Sequence, residues 1–174
     1  MIKVAVLGAH GRMGSESVKA LTAADGIEVV AEVDADDSLD VLTDAGAEMV
    51  VDFTNPDVVM DNLRWCIEHG VHAVVGTSGF DDDKVAELRD ALGEEPKVGI
   101  LIVPNFSIGA VLMMRFAAQA APFFESVEVI ELHHPDKVDA PSGTATRTAE
   151  LIAAAREDAG KGPVPDATTS DPGG

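Results

Sequence analysis

The chain has 174 residues, 46% of them hydrophobic, enough to bury the core of one domain and a fraction of a second. Twelve basic residues against thirty-one acidic ones leave a net charge of −19, which repels nucleic acid and anionic membrane, so neither is expected as a partner. No stretch reaches the ~20 uninterrupted apolar residues of a membrane span, the first residues lack signal-peptide anatomy, and the lone Cys66 excludes an internal disulfide, which together predict a cytoplasmic protein.

Residues 2–7 form a short β-branched run that stops at a glycine turn, and 13–23 carry a helical pattern. Further strands are expected at 28–33, 48–53, 71–75 and 98–103, with helices over 56–69 and 81–92 between them. Strands alternating with helices predict an α/β domain whose parallel sheet is covered on both faces. After "VPNFSIG" the rhythm changes to an apolar helix at 107–121, a strand at 127–132 and a helix from 143 to about 158. The tail "GKGPVPDATTSDPGG" is rich in Gly, Pro, Ser and Thr and reads as loop. Residues 1–106 are therefore expected as one domain and 107–174 as an α+β second domain. One strand and two helices do not make a self-sufficient unit, so the second domain is expected to be truncated or completed by a partner chain.

"VAVLGAHGRMG" sets Gly8, Gly11 and Gly14 directly after a strand and at the opening of a helix. Glycines here allow a tight turn and close approach of backbone N–H groups to a pyrophosphate at the positive helix end, the arrangement of a Rossmann dinucleotide domain. Asp34 follows Gly14 by twenty positions, where a carboxylate can accept hydrogen bonds from an adenosine ribose. Asp34, Asp36 and Asp37 repel a 2′-phosphate, and His10 and Arg12 offset that in part. NADH is thus expected as the preferred cofactor, with NADPH tolerated.

"VDFTNPD", "VVGTSGF" and "IVPNFSIG" end three successive strands in small or polar loops on one edge, with Phe53 and Thr54 in the first of them. Such an edge is where open α/β sheets bind ligands. Trp65 and Cys66 fall within a helix, which predicts packing roles and argues against a nucleophilic cysteine.

"ELHHPDKVDAPSGTA" gathers two histidines, a lysine, two aspartates and a Ser-Gly-Thr turn. A metal site built from His133, His134, Asp136 and Asp139 is one reading, disfavoured by Lys137 in its midst; a packed loop without function is another. The third is a site for a dianion. Lys137 offers a point charge to one carboxylate, Ser142 to Thr144 open a helix whose free N–H groups can hold a second, and a histidine can deliver a proton. Beside a nicotinamide, that combination serves reduction of a polarised double bond.

In order and spacing, "GAHGRMG", "DFTNPD", "VVGTSGF", "PNFSIG" and "ELHHPDKVDAPSGTA" resemble the dihydrodipicolinate reductase family of lysine and diaminopimelate biosynthesis, over residues 1 to about 158. The resemblance implies hydride transfer from NADH or NADPH to a small cyclic dicarboxylate, followed by protonation. It makes His133 the proton donor and Lys137 its companion, with His134, Ser142, Gly143 and Thr144 as further substrate contacts and no metal. It assigns Gly8, Ala9, His10, Gly11, Arg12, Met13, Asp34 and Phe53 to the cofactor, together with Gly76, Thr77, Ser78, Val103, Pro104, Asn105 and Phe106. Ser78 and Val103 stand where the family more often has threonine and alanine. The family's substrate domain is longer and carries the sheet through which its members form homotetramers. Without it, the 127–132 strand edge and the apolar face of 107–121 are left uncovered. A non-catalytic dinucleotide-binding module is the rival reading, and a semialdehyde or homoserine-type dehydrogenase is disfavoured by the histidine-lysine-SGT cluster.

Overall fold

The structure is a computed structural model and describes residues 1–133 and 140–163. It divides into two compact units, Met1–Pro104 and Asn105–Gly174.

The first unit is a five-stranded, wholly parallel sheet. Its strands are β1 (Ile2–Leu7), β2 (Ile27–Val33), β3 (Met49–Asp52), β4 (His72–Val75) and β5 (Ile100–Ile102), in the order β2-β1-β3-β4-β5. Helices α1 (Arg12–Thr22), α2 (Asp40–Asp44), α3 (Val59–His69) and α4 (Asp82–Leu92) make the crossovers. The chain leaves β1 in one direction to reach β2 and in the other to reach β3, so the strand order reverses between β1 and β3, which is where a doubly wound sheet opens a crevice.

Local sequence accounts for these elements. Val4 to Leu7 are buried on both faces of the sheet, as a central parallel strand requires. α3 turns Val59, Met60, Leu63 and Cys66 inward at helical spacing and ends at Gly70 in the left-handed conformation, φ 73°. α4 starts at Asp81, whose side chain accepts from the Lys84 N–H at 2.9 Å, with Asp82 and Asp83 in the first turn beside the positive dipole end. The core gathers Leu7, Leu42, Val50, Val59, Leu63 and Val75 around β1, β3 and β4, each side chain contributing roughly 1.5–3 kcal/mol by leaving water.

Two elements depart from the sequence expectation here. α2 falls between the second and third strands, where no helix is expected, and α3 begins at Val59 rather than at 56, because the Asn55 carbonyl accepts from the N–H groups of Val58 and Val59 in a turn that precedes the helix.

In the second unit, α5 (Ile108–Ala120) runs into a 3-10 turn at Ala121–Phe123 and packs on α6 (Gly143–Asp158). The buried Arg156 guanidinium fastens this pair. It donates through Nη1 to the carbonyls of Ala121 and Phe124, at 3.2 and 2.7 Å, and through Nη2 to those of Glu125 and Gly162, at 3.2 and 3.3 Å. The strand expected at 127–132 is not formed: the stretch carries no ladder among the described residues, since an extended segment becomes a strand only against a partner. The described part of this unit is accordingly helical. Much of its apolar surface is uncovered, with Ile108, Phe116, Phe123, Ile130 and Leu132 exposed.

Candidate active site

Registry organises the first unit's site. Leu7 pairs with Val33 on one side and Asp52 on the other, Asp52 pairs with Val75, and Val75 with Ile102. The next residue on each of the five strands is Asp34, Gly8, Phe53, Gly76 or Val103. Five positions far apart in sequence thus form a single row along the carboxyl edge of the sheet.

Around the strand-order reversal this row borders a crevice of about 370 Å³ lined by Gly8, Gly11, Asp34, Phe53, Thr54 and Asn62, among others. Gly8 has φ 72°, and a Cβ there would lie 2.6 Å from the Phe53 carbonyl oxygen. A Cβ on Gly14 would lie 2.0 Å from the Gly8 carbonyl oxygen, so α1 presses on the loop closely enough to exclude any side chain. α1 starts after Gly11 with no side-chain cap and no acidic residue in its first turn, leaving the positive end of the helix available to an anion.

Asp34 closes the crevice on the β2 side. Its Oδ2 accepts from the His10 N–H at 2.9 Å and its Oδ1 from the Ala35 N–H at 3.0 Å. These two bonds, the His10 one foremost, hold the carboxyl below the usual carboxylate range. His10 Nδ1 stands 3.4 Å from the same Oδ2. Each carboxylate oxygen still has acceptor capacity for a diol. Asp37 supports the arrangement by accepting from the Asp34 N–H at 2.8 Å.

The opposite wall rests on Asp52, which is fully buried and was not among the expected site residues. Its Oδ1 accepts from the Thr54 N–H at 2.9 Å, the Thr54 hydroxyl at 2.7 Å and the Thr77 hydroxyl at 2.8 Å, and its Oδ2 from Asn62 Nδ2 at 2.9 Å. One carboxylate thereby joins the loops after β3 and β4 to α3. The Phe53 ring packs against Gly76, where a Cβ would come within 2.1 Å of it. Thr77 is buried and Ser78 exposed, and Val103 is held by its N–H to the Val75 carbonyl at 2.8 Å. Ala9, within the glycine loop, is buried, while His10, Arg12, Met13 and Pro104 are exposed.

In the second unit, Ser142 is the N-cap of α6: its hydroxyl oxygen accepts from the Ala145 N–H at 3.1 Å. The Glu131 carboxylate accepts the Ser142 hydroxyl at 2.6 Å and the Ser142 N–H at 2.9 Å. Asn105 Nδ2 donates to Thr144 Oγ1 at 3.1 Å, and Asn105 Oδ1 accepts from the Ser107 N–H at 2.8 Å. Gly143, His133 and Phe106 are exposed. His134 and Lys137, like Asp136 and Asp139, lie outside the described residues. Glu131 and Asn105 hold the Ser142–Thr144 turn through hydrogen bonds that the sequence does not single out, and no spacing rule marks Glu131.

Cys66 is buried in the core, and burial, reinforced by the charge of Asp52, pushes its thiol up to about 12. That excludes it as a nucleophile. No helix among the described residues is long and apolar enough to cross a membrane.

Two family models match the chain: "Dihydrodipicolinate reductase, N-terminus" over residues 2–106 and "Dihydrodipicolinate reductase, C-terminus" over 109–170. The 4-hydroxy-tetrahydrodipicolinate reductase of Thermobifida fusca is 67% identical over 171 residues, covering 98% of this chain and 69% of its own length. That of Streptomyces griseus is 62% identical over 169 residues, covering 97% and 68%. Among solved structures, dipicolinate-bound dihydrodipicolinate reductase from Paenisporosarcina sp. TG-14 superposes with a TM-score of 0.75 at 36% identity, over 90% of this chain and 67% of that one.

Proposed function

The chain belongs to the dihydrodipicolinate reductase family, and from that premise we propose which of its residues carry each part of the reaction. It is an NAD(P)H-dependent oxidoreductase that reduces the dihydrodipicolinate precursor to tetrahydrodipicolinate in lysine and diaminopimelate biosynthesis. The matches extend through the second unit, which disfavours a dinucleotide-binding module without catalysis.

The observation that carries the assignment is the row Asp34, Gly8, Phe53, Gly76, Val103 at one sheet edge. The close-packed glycine loop, the uncapped start of α1 and the acceptor-bearing Asp34 fit a dinucleotide. When bound, the reduced nicotinamide supplies the hydride. Gly8 to Met13 approach the pyrophosphate, Asp34 takes the ribose hydroxyls, and Phe53, Gly76 to Ser78, Val103, Pro104 and Phe106 border the nicotinamide. His133 donates the proton that completes the reduction. Lys137 binds and polarises the substrate beside it, and His134, Gly143 and Thr144 serve its carboxylates, while Ser142, whose hydroxyl and N–H both go to Glu131, caps the helix that presents them.

NADH is preferred over NADPH on this reading, because Asp34, Asp36 and Asp37 crowd the 2′ position with negative charge that His10 and Arg12 only partly offset. The working form is a cytoplasmic homotetramer, which accords with the lone buried Cys66 and with the uncovered apolar residues of the second unit.

The test is NADH oxidation by this chain with freshly generated dihydrodipicolinate precursor, alongside a titration with NADH alone. Turnover is expected. Tight NADH binding with no turnover at any substrate concentration would overturn the reading in favour of a binding module.

A further inference from the structure

The segment 103–106 reads by resemblance as a cofactor loop, yet the Asn105 side chain is committed elsewhere. The Ser107 N–H can only donate, so the Asn105 atom 2.8 Å from it must be Oδ1. The amide nitrogen then faces Thr144 Oγ1 at 3.1 Å and donates to it. The orientation of this amide is therefore fixed by its neighbours.

That fixes the Thr144 hydroxyl as well. With one lone pair taken by Asn105, the hydroxyl proton cannot point at the amide and must be offered to another acceptor. The carbonyl of Thr144 is already engaged by the Thr148 hydroxyl at 2.6 Å. Ser142 differs: its hydroxyl proton goes to Glu131 at 2.6 Å and its oxygen caps Ala145, so it has no proton left for a ligand. In the first turn of α6, Thr144 is the hydroxyl held ready to donate, next to the Gly143 and Thr144 N–H groups that lack intrahelical acceptors.

We propose that Asn105 is a positioning residue of the dicarboxylate site, which acts through Thr144 by holding its hydroxyl as a donor to a substrate carboxylate. The inference rests on the functional reading above and reassigns this residue from cofactor to substrate. Asn105 touches neither substrate nor cofactor in this role.

The test uses pyridine-2,6-dicarboxylate as probe, titrated in saturating NADH, with NADH affinity measured separately. Asn105→Asp retains the acceptor for Ser107 but replaces the donor with an acceptor, so Thr144 turns its proton inward. Probe binding is expected to weaken about ten- to a hundred-fold, the size of a lost hydrogen bond to a charged group, while NADH affinity changes less than about twofold. Asn105→Ala, which adds no charge, should move both quantities the same way. In a Thr144→Val background Asn105→Ala, free of any added charge, should have little further effect.

Equal losses with and without the Thr144 hydroxyl would overturn the proposal, as would weakened NADH binding with unchanged probe affinity. Failure of the unaltered chain to bind the probe or turn over substrate would sink the functional reading itself, before any variant is made.

Discussion

The Thr77 hydroxyl donates to Asp52 Oδ1 at 2.8 Å, tying the loop after β4 to the end of β3 through a carboxylate that water does not reach. All four donors to Asp52 are neutral, so it is held by hydrogen bonds rather than by an ion pair. Asp52→Ala strands donors from Thr54, Asn62 and Thr77 and is expected to cost on the order of 3 kcal/mol. Thr77→Val removes one donor of four and should cost about 1 kcal/mol. Urea denaturation read by Trp65 fluorescence measures both, and equal losses would contradict the shared-acceptor geometry.

The glycines of the edge should differ in tolerance according to what their missing Cβ would strike. At Gly14 the obstacle is backbone, 2.0 Å away; at Gly76 it is the rotatable Phe53 ring at 2.1 Å; at Gly11 it is a carbonyl at a tight 3.2 Å. Substitution by alanine is expected to weaken NADH binding in the order Gly14, Gly76, Gly11, with Gly14→Ala losing at least about tenfold. A titration in which Gly11→Ala is the worst of the three would refute the packing argument.

Asp34 tests the coenzyme preference. Its carboxyl is held below the ordinary range by the His10 and Ala35 N–H groups, so it is ionised throughout the neutral range, and its contribution disappears only as pH falls through that lowered value. Asp34→Ala should lower kcat/KM for NADH and raise it for NADPH, shifting their ratio by about tenfold or more. An unchanged ratio would move discrimination to Asp36, Asp37, Arg12 or His10.

What could be read from the sequence followed from local rules. Gly8, Gly11 and Gly14 announce themselves by spacing after a strand, and Asp34 by its distance from them, because both constraints act within one βαβ unit. Asp52 could not be singled out, since its partners sit at 54, 62 and 77 and only the sheet register brings them together. Asn105 groups with its sequence neighbours when the chain is read alone, whereas its bond to Thr144 spans 39 positions. The segment 127–132 is expected as a strand, but a ladder needs a second chain segment, and none pairs with it among the described residues.

His133 and Lys137 separate proton delivery from binding. His133→Ala should lower kcat by about two to four orders of magnitude, as loss of a general acid does, with NADH affinity retained. Lys137→Ala should raise KM for the dicarboxylate and lower turnover, again without changing NADH affinity. Near-normal kcat for the histidine variant would remove it from the proton-donor role, and a large loss of NADH affinity in the lysine variant would place Lys137 in the other site.

Cys66 gives a pH dependence with a definite sign. Its thiol is raised to about 12 in the folded chain, by burial first and by the Asp52 charge second, whereas an unfolded cysteine titrates near ~8.5. Below ~8.5 the thiol is protonated in both states and the full contribution to stability is present. As pH rises from there towards about 12, the unfolded chain alone releases the proton, so the unfolded state is favoured and stability declines. At pH ~8, close to the free thiol value, a thiol-specific chromogenic reagent should therefore leave the native chain unlabelled. In denaturing urea it should label one equivalent, since Cys66 is the single cysteine. Rapid native labelling would mean that α3 opens readily and that Cys66 is not held against Asp52 in solution.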